Sequence, residues 1–383
     1  MSAPARPSLW IPGPTEVRPE LLAECARPMI GHRTAEMREL IARLDPGLRH
    51  AFGLSDASSA HVAVHSCTAS GLMEAVLRGL GTGRVLSLVN GAFSARFATI
   101  AESVGLEVVR LTRPAGHGFR EDEVRDELET RGPFTALTFA ASETSSATAT
   151  PPERIAAAAS AHPETLLLAD CVTWLGGASV DFDRNRLDAA LAGTQKALAL
   201  PPGLGLLAVS DRLLERVRAS EGRGWFLDLV RIVESHAERK PPMTPTLSLY
   251  RALARQLEEI DDGTLEARLS PGGTTADGTA RPGAAAWQAR FARHARMRDR
   301  TLAFASSHGL RSLAAPGDAS PTVSCLDVGG RDVPAVLEQM KRAGFELGSG
   351  YGELKSTAIR IGHMGDHTES ELEALLDALG RCL

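Results

Sequence analysis

Apolar residues along this chain fall into two spacings. Short, nearly unbroken apolar runs recur at 61–65, 84–89, 107–111, 134–140, 165–170, 187–191 and 204–209, bounded by Gly, Pro, Asn or Asp. Runs of that length predict strands of a sheet covered on both faces. Between them, apolar positions three or four apart predict helices over 20–26, 35–44, 72–80, 92–104, 121–129, 153–161, 212–219 and 250–260. Thr34 is placed to cap the second helix, and Pro151-Pro152 to open the one at 153. Strands alternating with helices predict an α/β fold with a mostly parallel sheet.

The texture then changes. Residues 270–285 are rich in Gly, Thr and Pro without periodicity, so 263–285 reads as a flexible insertion. Beyond it, 286–383 predicts a smaller α/β domain: helices 287–308, 333–343 and 369–379, and strands 322–328 and 358–361. The many arginines of 287–308 read as a solvated face. Residues 1–18, interrupted by Pro12-Gly13-Pro14, read as an irregular arm, which leaves 19–262 as the large domain. A chain of 383 residues suits one large domain and one smaller one.

The net charge of −5, with arginines dispersed among acids, points away from nucleic acid. No apolar run approaches a membrane span and the first residues lack a signal-peptide core, so no membrane partner is expected and the cytoplasm is the default location. The cysteines, Cys25, Cys67, Cys171, Cys325 and Cys382, are odd in number and widely spaced, which argues against a disulfide framework or a zinc site.

Lys196 follows the run 187–191 and precedes Pro201-Pro202-Gly203 and a second buried run. A lysine between core strands either snorkels to solvent or places a desolvated amine, with the lowered pKa of a Schiff-base nucleophile, in a site. Asp170 ends the run 165–170, at the sheet edge where open α/β folds bind ligands; a helix cap is the ordinary alternative. Together, such an amine and such a carboxylate are what pyridoxal phosphate requires, the first to hold the aldehyde and the second to keep the pyridine nitrogen protonated. Thr68, Ala69 and Ser70 lead into the helix at 72, as a cap or as a phosphate cradle. Val172 lies on the pleat side of Asp170, whereas Cys171 points to the core. Arg360 alternates with Ile359 and Ile361, so its guanidinium, a natural carboxylate clamp, faces away from the small domain's core.

Five segments run in order over nearly the whole chain: Pro12-Gly13-Pro14-Thr15, Gly31-His32-Arg33-Thr34, Asp170 through Leu175-Gly176-Gly177, Gly193-Thr194-Gln195-Lys196 with Pro201-Pro202-Gly203, and Arg360-Ile361-Gly362-His363-Met364-Gly365. Together they resemble the class V aminotransferases, in the alanine/serine–glyoxylate and archaeal aspartate aminotransferase branch. The resemblance implies the PLP-dependent transferase fold type I: a large domain with a mainly parallel seven-stranded sheet, plus a smaller C-terminal α/β domain. It implies pyridoxal 5'-phosphate as cofactor, with Lys196 and Asp170 as the catalytic pair. Thr68, Ala69, Ser70 and Gln195 would hold the phosphate. Phe93 would stack on the pyridine with Val172 on its other side, and Thr144 would bond the phenolic oxygen. Thr244 would reach the neighbouring subunit's phosphate in a homodimer with shared active sites. Arg360 would take the substrate carboxylate, with Gly13 alongside the ligand.

The pattern departs at Ala69 and Ala147, where glycine is customary, and in the 240–246 loop, which keeps one Thr-Pro of two. The expected reaction is ping-pong transfer of an amino group from alanine, serine or aspartate to a 2-oxo acid such as glyoxylate or pyruvate. Lyase, desulfurase-like or substitution chemistry in a specialised pathway is the alternative on the same scaffold. Cys325, in a predicted strand, speaks against a desulfurase.

Overall fold

The computed structural model describes residues 6–270, 280 and 282–383. Its strands are β1 (Ser8–Trp10), β2 (His61–His65), β3 (Arg84–Val89), β4 (Glu107–Thr112), β5 (Ala136–Ala140), β6 (Ser142–Glu143), β7 (Thr148–Ala149), β8 (Leu166–Asp170), β9 (Ala189–Gly193), β10 (Gly205–Val209), β11 (Arg311–Ser312), β12 (Ser324–Asp327), β13 (Phe345–Ser349) and β14 (Ala358–Ile361). Among the described residues, seven of these form one sheet in the order β2-β10-β9-β8-β5-β3-β4. Only β10 runs against its neighbours.

Every residue of β5, β8, β9 and β10 is buried, which is why their sequences are unbroken apolar runs. The pleat divides them between two cores. From β8, Leu167 and Ala169 enter one core, and Leu166 and Leu168 enter the other. Each leucine so buried contributes about 1.5–3 kcal/mol by leaving water.

The second sheet has the order β1-β13-β14-β12-β11 and a core of its own, including Trp10, Leu326, Ile359, Ile361 and Leu376. Its first strand corrects the reading of residues 1–18 as an irregular arm. Ser8–Trp10 pairs in parallel with Phe345–Leu347, so the start of the chain completes the small domain. Three residues, with a partner far along the chain, carry too little pattern to be seen in the sequence.

Two further readings need amendment. Within 263–285, Thr264–Leu269 is a helix with Leu265 and Glu266 buried, while 271–279 and 281 lie outside the described residues. The arginines of the helix Ala284–Ser307 divide: Arg296 and Arg300 are exposed as expected, but Arg290 and Arg293 are fully buried. They face Glu266: Arg290 Nη1 donates to its Oε1 at 2.8 Å, and Arg293 Nε to its Oε2 at 2.8 Å. Those two guanidinium groups hold the Glu266 carboxyl down at about 2 against its own burial. The helices Asp45–Phe52 and Leu229–Ala237 were not foreseen.

Candidate active site

β5, β8 and β9 run parallel, so their carboxyl ends open on one edge of the sheet. Asp170 is the last residue of β8, in register with Ala140 of β5 and Leu191 of β9. It is buried, and its Oδ1 accepts the Val172 N–H at 2.9 Å. Loss of water pushes its carboxyl up to about 7; Val172 opposes the shift and Glu143 adds to it, while Lys196 and Arg96 pull it down. Such a carboxylate favours a cation placed against it.

Lys196 lies three positions past the end of β9, in a turn closed by Ala199 N–H donating to the Lys196 carbonyl at 2.8 Å. Its amine donates to the carbonyl oxygen of Pro12. Burial and the Arg360 charge bring it down to about 8, against a smaller upward pull from Asp170. The amine is therefore within reach of its neutral, nucleophilic form near neutral pH. Gly13 borders it closely. With φ at +99°, its missing Cβ would stand 2.6 Å from Lys196 Nζ.

Arg360 belongs to the small domain but turns toward the large one. Its Nε donates to Ser349 O at 2.9 Å and its Nη1 to Thr144 O at 3.2 Å. The Thr144 hydroxyl meets the Thr173 hydroxyl at 2.6 Å. Phe93, in the first turn of the helix Ala92–Ser103, has its ring centroid 5.7 Å from that of Tyr351, and the Arg96 guanidinium lies 5.0 Å from the Phe93 centroid. Tyr351 in turn lies 5.7 Å from the Arg360 guanidinium carbon.

Glu143 holds the Phe93 helix in place and was not singled out by sequence. Fully buried, it accepts from Phe93 N at 3.1 Å, Ser94 N at 2.9 Å and Ser145 N at 3.0 Å, as well as from the Ser94 and Ser145 hydroxyls. It is an N-cap supplied from another segment.

The remaining predicted residues are placed as follows. Thr68 caps the helix Ala69–Gly79, its hydroxyl accepting from Gly71 N at 3.4 Å, with Ala69 buried and Ser70 half-buried in the first turn. Val172 is half-buried beside Asp170, and Cys171 points into the core. The Gln195 side chain folds over Gly193, where a Cβ would meet its Oε1 at 2.6 Å. Thr244 is exposed, in the loop whose Thr246 N–H donates to Ser66 Oγ at 2.8 Å, which brings that loop to the β2 end of the sheet. Trp174 packs in the core with its indole N–H on Ser179 O at 2.7 Å.

The family's sequence profile, Aminotransferase class-V, matches residues 50–258. The chain belongs to the class-V aminotransferases. The aspartate aminotransferase of subgroup IV from Thermus thermophilus superposes on this aminotransferase with a TM-score of 0.83 at 30% identity, over 98% of this chain and all of that one. A protein named soluble hydrogenase, small subunit, from Synechococcus sp. is 29% identical over 97% of this chain and 91% of its own. The L-aspartate–glyoxylate aminotransferase of Paracoccus denitrificans is 27% identical over 94% of this chain and 87% of its own.

The fold is the PLP-dependent transferase fold type I, and the cofactor of this aminotransferase is pyridoxal 5'-phosphate. The residues present fit that group. A capped helix N-terminus, a buried carboxylate in want of a cation, a desolvated amine and a glycine against that amine supply what a phosphate, a pyridine nitrogen and an aldehyde need.

Proposed function

We propose that this aminotransferase moves the amino group of a small L-amino acid (alanine, serine or aspartate) to a 2-oxo acid such as glyoxylate or pyruvate, in two half-reactions at one site. The observation that carries the reading is the Lys196 amine, desolvated and set between the charges of Arg360 and Asp170. Bound pyridoxal phosphate supplies an aldehyde for that amine and a ring that accepts electrons from the substrate's α-carbon.

Each residue then has a task. Lys196 would hold the aldehyde until substrate arrives, and its freed amine would then carry the substrate's α-proton to the former aldehyde carbon, across the substrate nitrogen. Asp170 keeps a proton on the pyridine nitrogen. Thr68, Ala69, Ser70 and Gln195 bind the phosphate, Phe93 and Val172 sandwich the ring, and Thr144 bonds its phenolic oxygen. Arg360 clamps the α-carboxylate, and Gly13 leaves room for substrate beside the amine. Thr244, exposed on its loop, serves the neighbouring subunit's phosphate in a homodimer.

With Arg360 assigned to the α-carboxylate and no second arginine assigned to substrate, partners with a single carboxylate are favoured. Relatives named for serine and alanine with glyoxylate fit that preference, and one named for aspartate with glyoxylate keeps the dicarboxylic donor in the screen. The desulfurase alternative lacks its nucleophile at Cys325, which is buried in β12 with its thiol pushed up to about 12 by burial.

The test is a donor screen by half-reaction. L-alanine, L-serine and L-aspartate are mixed singly with the holoenzyme, and loss of the visible band is followed together with formation of the 2-oxo acid. Bleaching with stoichiometric oxo acid is expected from at least one donor. Continuous release of free ammonia with the visible band retained would overturn the reading in favour of a lyase.

A further inference from the structure

Arg290 bonds the backbone of three segments, each of which follows a predicted site residue. Its Nε donates to Gly176 O at 3.1 Å, in the turn that follows Asp170. Its Nη2 donates to Ala197 O at 2.6 Å, next to Lys196, and to Gly365 O at 3.2 Å and Asp366 Oδ1 at 2.9 Å, just past Arg360. Glu266 neutralises the guanidinium through Nη1. A fully buried arginine is tolerated only when its charge and its N–H groups are satisfied in this way.

The bonds to the lysine turn extend on both sides of Ala197. Thr15 N–H donates to Gln195 O at 3.2 Å, and Thr15 Oγ1 to Lys196 O at 3.1 Å. Gln256 Nε2 donates to Leu198 O at 2.9 Å and to Asp366 Oδ1 at 3.1 Å. The carbonyls of residues 195 to 198 are thus each held from outside the turn. Gln256 shares with Arg290 the segment after Arg360, and Arg290 adds the bond to Gly176 in the segment after Asp170.

We propose that Arg290 is a positioning residue for Lys196, fastening Ala197 to Gly176 and Gly365 so that amine, carboxylate and clamp keep one spacing. The proposal rests on the reading of Lys196 as the amine that takes the cofactor. Fixed geometry of this kind governs rate, since small misplacements of a reacting group cost factors of ten to a hundred.

Arg293 provides a matched control. It is equally buried on the same helix and shares Glu266 and Gly365 O, but its remaining bond goes to His367 O and not to Ala197 or Gly176. Arg290→Lys, Arg293→Lys and Asp366→Asn are compared with the parent by apoprotein melting temperature, the pH midpoint of the visible band and the half-reaction rate with saturating L-alanine, L-serine or L-aspartate. Both lysine variants should melt earlier. Only Arg290→Lys, and to a lesser degree Asp366→Asn, should raise the midpoint by about half a pH unit or more and slow the half-reaction roughly tenfold or more. The rise follows because a loosened turn admits water to the Lys196 nitrogen, which favours its protonated form, and relaxes its approach to Arg360.

Equal midpoints and rates in Arg290→Lys and Arg293→Lys would overturn the proposal. If Arg290→Lys does not accumulate folded, an unchanged midpoint and rate in Asp366→Asn overturns it instead. Lys196→Ala separates the two levels. A visible band that persists in that variant sinks the reading of Lys196 itself, whereas its loss alongside an unaffected Arg290→Lys sinks only the positioning role.

Discussion

The guanidinium of Arg360 donates to the backbone carbonyl of Thr144, 3.2 Å away across the two domains. The small domain's proposed clamp is therefore aligned by a large-domain turn, and that turn also carries the hydroxyl assigned to the cofactor. Lysine in place of Arg360 keeps the charge but not the fork. Arg360→Lys should raise KM for the amino donor by roughly thirtyfold or more, the scale of a lost charge-assisted pair, with a smaller change in kcat. Steady-state kinetics with each donor check this, and a fall in kcat at constant KM would contradict it.

Asp170 carries a stability consequence whose sign is fixed by its environment. Its folded value, about 7, lies above the ordinary value of 3.8, so between those limits the native state binds more protons than the unfolded one. Stability of the apoprotein therefore falls as pH rises through that window, by on the order of 4 kcal/mol at most from this group. Asp170→Asn should melt higher than the parent at pH 8, converge with it near pH 4, and lose most of its transamination rate. Apoprotein melting curves across pH decide it.

Lys196 behaves in the complementary way. Its folded value, about 8, lies below 10.5, so between the two the native state binds fewer protons and stability rises with pH. Capture of added pyridoxal phosphate should accelerate with pH toward a plateau above about 8, because the neutral amine is the reacting form. Stopped-flow absorbance measures this directly, and a midpoint near 10.5 would show an amine in ordinary solvent.

At Gly13 both the positive φ and the 2.6 Å approach to the amine forbid a side chain without movement. Gly13→Ala should displace Lys196 or the Pro12 segment and lower kcat/KM at least tenfold. Its melting temperature should drop only modestly, since the strain of a non-glycine left-handed residue is about 1–2 kcal/mol. An active enzyme with parental kcat/KM would remove Gly13 from the site.

Glu143→Gln isolates the buried cap. The amide would present N–H groups to the Ser145 or Ser94 donors that the carboxylate now satisfies, costing about 2–3 kcal/mol of stability. With the Phe93 turn loosened, affinity for pyridoxal phosphate should fall severalfold. Denaturant unfolding and cofactor titration read the two effects separately.

Much of the large domain was legible because its central strands are buried on both faces, so β8 and β9 stand out as apolar runs and their ends locate Asp170 and Lys196. The arginine helix was misread because polarity was taken for exposure. Its buried positions Trp287, Arg290, His294, Met297, Thr301 and Phe304 follow helical spacing, and interpolating that stripe would have placed Arg290 inside. What remained invisible was the partner, since Glu266 comes from a separate short helix. Nor could Glu143 be assigned as a cap to a helix some fifty positions earlier, a contact made only by the tertiary fold.

The parallel pairing of Ser8–Trp10 with Phe345–Leu347 sets an order of assembly. During synthesis the first strand emerges long before the strand it must lie beside, and the carbonyl of Pro12, two residues past it, is the one that meets the Lys196 amine. A nascent or C-terminally truncated polypeptide would thus hold a nearly finished large domain around an incomplete lysine environment. Competence for chemistry would come only when the last segments have joined the first.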